Sequence, residues 1–348
     1  MKITEKAVPG YERVVFAEEP DSGYRGIIAV HNTTLGPGAG GTRFWNYRSD
    51  DEALNDALRL SRGMTYKSAL AGLPCGGGKS IILGDNRTTE REKIFRAHGR
   101  FVHLLGGLYI TAEDVGTSPA DMEYVLQETP YVAGLQGKSG DPSPRTARGV
   151  FRAMQAAAKF RWGSDDLTGR TVALQGCGHV GFPLAEELHR AGAKLMVTDV
   201  DDARVQRAVS ECGARAVAPD EIYGVEADIF APCAMGAILN DQTIPRLRVE
   251  IVAGAANNQL LETRHGDMLE ARGILYAPDY AANAGGIISG GCMEMLGWDE
   301  ARMLARVDDI YDCLSEIFRI SSERKLPTWK AADILAEQRL QTKQESPA

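Results

Sequence analysis

The stretch Val172-Ala173-Leu174-Gln175-Gly176-Cys177-Gly178-His179-Val180-Gly181 decides the fold. A short apolar run leads into G-x-G-x-x-G, and residues 180–191 then carry apolar positions at helical spacing. This reads as a strand turning sharply into a helix. Gly176 permits the turn, Gly178 lets a ligand approach the backbone, and Gly181 lets the helix pack close to the strand. The free N–H groups of the helix start are then a seat for the phosphates of a dinucleotide. His179 and Val180 complete the loop. For His179 a capping or packing role is the simpler reading.

Outward from this stretch the pattern alternates. Strands are expected at 171–175, 194–199, 227–232, 251–255 and 274–277, with helices at 180–191, 202–212 and 266–271. Alternation at this spacing predicts a parallel, doubly wound sheet. Asp199 ends the second strand, where a carboxylate accepts hydrogen bonds from ribose hydroxyls. With Asp201 and Asp202 it would repel a 2′-phosphate, so NAD is expected over NADP; Arg204 opposes this in part.

The first third mixes strand and helix signals. Strands are expected at 26–31, 80–83 and 108–111. Helices are expected at 51–67, where Leu54, Ala57, Leu58, Ser61 and Met64 share one face, and at 88–105. Ser118-Pro119 opens a further helix. The stretch 134–144, GLQGKSGDPSP, reads as a hinge. A helix over 146–162 follows it. A long helix is expected near 299–324 and, after Pro327, a last one that packs back on the first domain. The expected domains are therefore 1–135, completed by 325–348, and 136–324.

Composition excludes several classes. The net charge is −8 and Lys/Arg residues form no cluster, which argues against nucleic acid as a partner. No apolar run approaches a membrane span, and the N-terminus lacks a signal-peptide core. The six cysteines form no C-x-x-C pair and the six histidines no ligand spacing, so reduced thiols, a cytoplasmic location and no metal are expected.

Two lysines stand out. Lys67 ends the helix that contains Gly63-Met64-Thr65-Tyr66, and Lys79 follows Gly76-Gly77-Gly78. The second is not a phosphate loop, because Leu73 stands where that motif needs glycine. For either lysine alone a solvated surface position is the simpler reading. Together, flanked by glycine turns, they suit deamination of an amino acid. One cation holds a carboxylate. The other, with its pKa lowered by burial and a neighbouring cation, is a base near neutral pH. An acid nearby can shuttle protons, and Glu113-Asp114-Val115-Gly116, after the strand ending at Thr111, offers one.

The segments LGPGAGGTR (35–43), ALRLSRGMTYKSALAGLPCGGGKSII (57–82), YITAEDVGTSPADM (109–122), GDPSPRTARGV (140–150), GAANNQL (254–260) and YAPDYAANAGG (276–286) carry a resemblance. In consistent order from about residue 23 to 341, the chain resembles the amino-acid dehydrogenase family, in its leucine, valine and phenylalanine branch. The resemblance implies an α/β fold: an N-terminal mixed α/β substrate domain and a C-terminal Rossmann NAD-binding domain, with a cleft between them. It implies reversible, NAD-dependent oxidative deamination of a hydrophobic L-amino acid to its 2-oxo acid and ammonia, in a homo-oligomer. It assigns Lys67 and Asn258 to the substrate carboxylate, Lys79 to catalysis and Asp114 to proton transfer. Gly41 falls in a glycine turn lining the cleft, and Thr146 and Asn283 fall near the nicotinamide. Ala39, Met64, Ala112, Ile287 and Gly290 fall on the substrate side-chain pocket.

The chain also departs from the leucine members. Ala39 stands where they usually carry leucine, and Gly290 and Ile287 where they usually carry valine. The added room leaves an aromatic substrate as the alternative to a branched-chain one. A catalytically silent NAD-binding sensor is the reading from another class; intact Lys67, Lys79 and Asp114 speak against it.

Overall fold

The computed structural model describes residues 1–137 and 140–345. The chain forms two compact units, one of Met1–Gly140, Gly290–Trp298 and Ala336–Ala348, the other of Asp141–Ser289 and Asp299–Leu335. The border expected at residue 136 thus falls at Gly140 and Asp141, inside the stretch read as a hinge, of which Lys138 and Ser139 lie outside the described residues. The C-terminal return begins at Ala336 rather than at 325. The return of Gly290–Trp298 to the first unit was not expected from sequence. It is secured by Glu294, whose carboxylate accepts the amides of Gly134 at 2.7 Å and Leu135 at 3.3 Å.

The first unit is built on a six-stranded sheet in the order β1-β2-β3-β5-β4-β6. Its strands are β1 (Lys2–Glu5), β2 (Arg13–Glu19), β3 (Tyr24–Asn32), β4 (Gly38–Trp45), β5 (Gly76–Leu83) and β6 (Tyr109–Glu113). β4 runs parallel to β5 and β6, while β3 meets β2 and β5 antiparallel. Alternation sends neighbouring side chains to opposite faces. Ile27, Ala29 and Ile81 pack with Ala53, Leu54 and Ala57 of helix α1 (Asp50–Ala71). Ile28 and Ile82 pack on the other face with Phe95 and Phe101 of α2 (Arg91–Leu104) and Met122 and Val125 of α3 (Pro119–Leu126).

Helix α1 starts where Ser49 accepts the amide of Glu52 at 3.1 Å, with Asp50, Asp51 and Glu52 in its first turn. It stops at left-handed Gly72 rather than at residue 67, so Lys67 lies inside the helix. Under β4 and β5 a buried polar thread crosses the core. Tyr24 Oη meets His98 Nδ1 at 2.8 Å, His98 Nε2 meets Thr42 Oγ1 at 3.0 Å, and Thr42 meets Ser80 at 2.8 Å. Each of these buried groups has a partner, as burial requires.

The second unit holds β7 (Thr171–Gln175), β8 (Lys194–Thr198), β9 (Arg215–Ala216), β10 (Ile229–Pro232), β11 (Ile251–Val252) and β12 (Leu275–Tyr276) in the order β12-β11-β10-β7-β8-β9, all parallel. The order reverses direction at β7, which is the doubly wound switch point. Around it run α4 (Ser143–Trp162), α5 (Gly181–Arg190), α6 (Asp202–Cys212), α7 (Arg264–Ala271), α8 (Asp279–Ala282) and α9 (Gly285–Gly290). The single long helix expected near 299–324 is two, α10 (Glu300–Asp308) and α11 (Ile310–Arg324). The break is slight, since Asp309 still donates to Ala305 and accepts from Cys313. The last helix, α12, is Thr328–Glu345. Among the described residues no helix is long and apolar enough to cross a membrane.

Candidate active site

The sequence reading places Gly41 and Gly76–Gly78 in turns; the structure places them in strands β4 and β5. Glycine is a poor strand former by itself, so the reason is packing. A Cβ on Gly77 would overlap the backbone nitrogen of Thr65 in α1, and one on Gly40 would overlap the Gly78 carbonyl. Bare backbone lets helix and strands sit directly on each other. The result is a side-chain-free floor beside Lys79.

Lys79 projects from the middle of β5 and is 5% exposed. Its Nζ donates to Asp114 Oδ2 at 2.8 Å. Asp114 follows the end of β6, and its approach depends on Gly41, where a Cβ would overlap the Glu113 carbonyl and stand 2.8 Å from Asp114 Cβ. Burial pushes the Lys79 amine below the ordinary lysine range; Asp114 opposes the shift and Arg43 adds to it. Burial alone would raise the Asp114 carboxyl, but Lys79 and Arg43 outweigh it and hold it below the ordinary range. The arrangement is a buried amine beside an anion and a second cation, its proton held less firmly than an exposed lysine's.

Arg43 was missed in the sequence. Its Nε donates to Asp114 Oδ2 at 3.0 Å and its Nη1 to Asp56 Oδ2 at 2.9 Å. The only available signal was its place in the segment GAGGTRFW (38–45).

Of the other expected residues of the first unit, Ala39, Met64 and Ala112 lie beside this floor. Ala112 pairs with Gly41 across β6 and β4, and Ala39 pairs with Gly77. Met64 Cγ stands 3.4 Å from where a Cβ on Gly40 would be. Ala39, Met64 and Ala112 are half-buried, as is Lys67, two residues beyond Thr65 in α1. Gly290 ends α9 with helical backbone angles, φ −63° and ψ −48°. No described atom lies within 4 Å of where its Cβ would stand.

In the second unit the glycine loop takes the form read from the sequence. Gly176 has φ +97°, and a Cβ on Gly181 would overlap the Gly176 carbonyl. Gly178 is different: a Cβ there would meet only Arg204 Nη1, at 3.6 Å. Protein packing therefore does not require glycine at 178, whereas close approach of a phosphate would. α5 opens at half-buried Val180 without a side-chain cap, and exposed His179 does not supply one, which removes the capping half of its simpler reading. Asp199 Oδ2 accepts the Cys177 amide at 2.7 Å and Oδ1 the Asp201 amide at 3.0 Å. The carboxylate is thus tied to the loop it serves, with lone pairs left for a ligand's hydroxyls. These features fit a dinucleotide.

Thr146, in the first turn of α4, lies with its Oγ1 2.8 Å from where a Cβ on Gly286 of α9 would stand. Asn283, 4% exposed, donates to the Ala255 carbonyl at 3.0 Å and to Asn257 Oδ1 at 2.7 Å. The neighbouring Asn258 is exposed and held at φ +51°, a conformation that asparagine tolerates better than most residues. Ile287 is half-buried in α9. Thus Asn258 and Ile287 belong to the second unit, while the lysines, Gly41 and Gly290 belong to the first.

The fold and these groups define a two-unit α/β oxidoreductase with a Rossmann nucleotide unit. Two family models match the chain: "Glu/Leu/Phe/Val dehydrogenase, dimerisation domain" over residues 11–131, and "Glutamate/Leucine/Phenylalanine/Valine dehydrogenase" over residues 196–346. The chain is 55% identical to the leucine dehydrogenase of Geobacillus stearothermophilus, over 95% of this chain and 91% of that protein. It is 47% identical to the phenylalanine dehydrogenase of Caldalkalibacillus thermarum, over 97% and 94%. The crystal structure of L-tryptophan dehydrogenase from Nostoc punctiforme superimposes with a TM-score of 0.90 at 46% identity, covering 97% of this chain and 98% of that one. The chain belongs to the Glu/Leu/Phe/Val dehydrogenase family of amino-acid dehydrogenases.

Proposed function

We propose that the chain catalyses the reversible NAD-dependent oxidative deamination of a hydrophobic L-amino acid of the leucine or valine type. The balance is amino acid, water and NAD⁺ giving 2-oxo acid, ammonium, NADH and a proton. The observation that carries the proposal is the pair of buried Lys79 and half-buried Asp114 beside Arg43 on the glycine floor. A bound NAD supplies the hydride acceptor; Gly176, Gly178, Val180, Gly181 and Asp199 would hold it, with Thr146 and Asn283 near its nicotinamide. Lys67 binds the substrate carboxylate as a fixed cation, with help from Asn258. Neutral Lys79 takes the proton of the water that adds to the iminium carbon of the substrate, and Asp114 holds the resulting ammonium and passes the proton on.

Preference for branched-chain over aromatic substrates is supported by 52–55% identity to leucine dehydrogenases against 47–48% to phenylalanine and tryptophan dehydrogenases. A homo-oligomer belongs to the same proposal, because the first unit matches a model described as a dimerisation domain. So does a cytoplasmic location, supported by cysteines 75, 177, 212, 233 and 313, none of which is joined in a disulfide. The test is NADH formation from a panel of L-amino acids. Leucine and valine should lead. Phenylalanine in the lead would turn the substrate assignment, and no NADH from any amino acid would end the proposal.

A further inference from the structure

Asp114 Oδ2 receives two cations at once, Lys79 Nζ at 2.8 Å and Arg43 Nε at 3.0 Å. Arg43 does not end there. Its Nη1 reaches Asp56 Oδ2 at 2.9 Å, and Asp56 is itself held by Tyr47 Oη at 2.6 Å and Arg59 at 2.9 Å. The guanidinium is therefore anchored at both ends, from α1 on one side and from the end of β6 on the other. Its side chain is 22% exposed and that of Asp56 only 16%, so salt screens the pairing less than it would an exposed one.

A lone carboxylate beside a buried lysine would favour the ammonium form and spoil the lysine as a base. Arg43 opposes this in two ways. It takes part of the same oxygen's hydrogen-bonding capacity, and it places a permanent positive charge nearby, since arginine does not deprotonate. The charged groups that face Lys79 are Asp114 after β6, Arg43 from β4 and Asp56 from α1, while β3 sets Ala29 beside it.

We propose that Arg43, clamped between Asp56 and Asp114, is a positioning residue that fixes the Asp114 oxygen and keeps it from committing wholly to Lys79. This rests on reading Lys79 as the base. Arg43 touches neither substrate nor cofactor in this role; it acts through Asp114.

The experiment compares full-length wild type, Arg43→Met, Arg43→Lys and Lys79→Ala. Acetic anhydride labelling of Lys79, read by mass spectrometry from pH 6 to 11, follows its protonation without using activity. Arg43→Met should raise the labelling midpoint by about one pH unit. It should move the acid limb of kcat/KM for leucine the same way, with kcat at neutral pH falling about tenfold and KM changing less. Arg43→Lys keeps a charge but loses the fork that spans two carboxylates. Its midpoint should stay near wild type while kcat falls. An unmoved midpoint and pH profile in Arg43→Met would overturn the proposal. If that variant does not fold, wild-type kcat in Arg43→Lys overturns it instead. Wild-type turnover in Lys79→Ala would bring down the base assignment itself, a separate result from either of these.

Discussion

Replacing His98 by glutamine should flatten the acid side of the protein's stability profile. His98 is fully buried and its pKa is pushed down from 6.5 to about 3 by burial. The unfolded imidazole titrates near 6.5. Below that pH the unfolded chain takes up a proton that the native state refuses, so stability is lost as pH falls from 6.5 toward 3. Each tenfold in proton affinity is about 1.36 kcal/mol. The loss is therefore about 2 kcal/mol by pH 5 and about 5 kcal/mol when the native ring finally titrates. Against a typical total of about 5–15 kcal/mol this is a large share. Glutamine retains a donor and an acceptor for Tyr24 and Thr42 but has no proton to gain. Urea unfolding at pH 8 and pH 5 gives the comparison. Wild type should lose about 2 kcal/mol more than His98→Gln over that interval, whatever the variant costs at pH 8. Equal losses would mean that water or a rearranged thread already accommodates the charged ring, and the argument from burial would fail.

Three further outcomes concern the site. Lys79→Ala should lower kcat by about two orders of magnitude or more with a much smaller change in substrate binding, as steady-state kinetics with leucine would show. Lys67→Ala should weaken substrate binding by about 1.5–3 kcal/mol, roughly 10- to 150-fold in KM for the amino acid, and leave NAD affinity unmoved by calorimetry. Ala39→Leu with Gly290→Val should shift kcat/KM toward leucine and away from phenylalanine by about tenfold or more. Gly290 has ordinary helical angles and no described atom within 4 Å of a Cβ, so valine should fit there without loss of fold; an unchanged ratio would remove both positions from the pocket.

The second unit was the more legible from sequence. Its core strands and helices carry their own signals: β7 and α6 fall where the apolar pattern put them, because each element buries a stripe set by its own periodicity. The first unit was harder. β1 is exposed along its whole length and so offers no burial pattern to read. The glycine runs of β4 and β5 looked like turns because the state of such a run is decided by what packs on it, here Thr65 and the facing strand. The lysines and Asp114 were assigned from chemistry and resemblance. Arg43 was not, since its meaning lies in two carboxylates, Asp56 and Asp114, that only folding brings to it.

The glycine floor has a consequence for how this chain can diverge. Saturation mutagenesis should find Gly40, Gly41 and Gly77 closed to every substitution, because even a methyl group would meet backbone that cannot retreat without dismantling the sheet. Gly63 and Gly290 should accept nearly anything, for space surrounds both. Drift at the site is thus channelled. The frame that presents the lysine is frozen, and novelty can enter only at the few positions around it that carry, or can carry, a side chain. A lineage built on such a frame would change what it accepts long before it changed what it does.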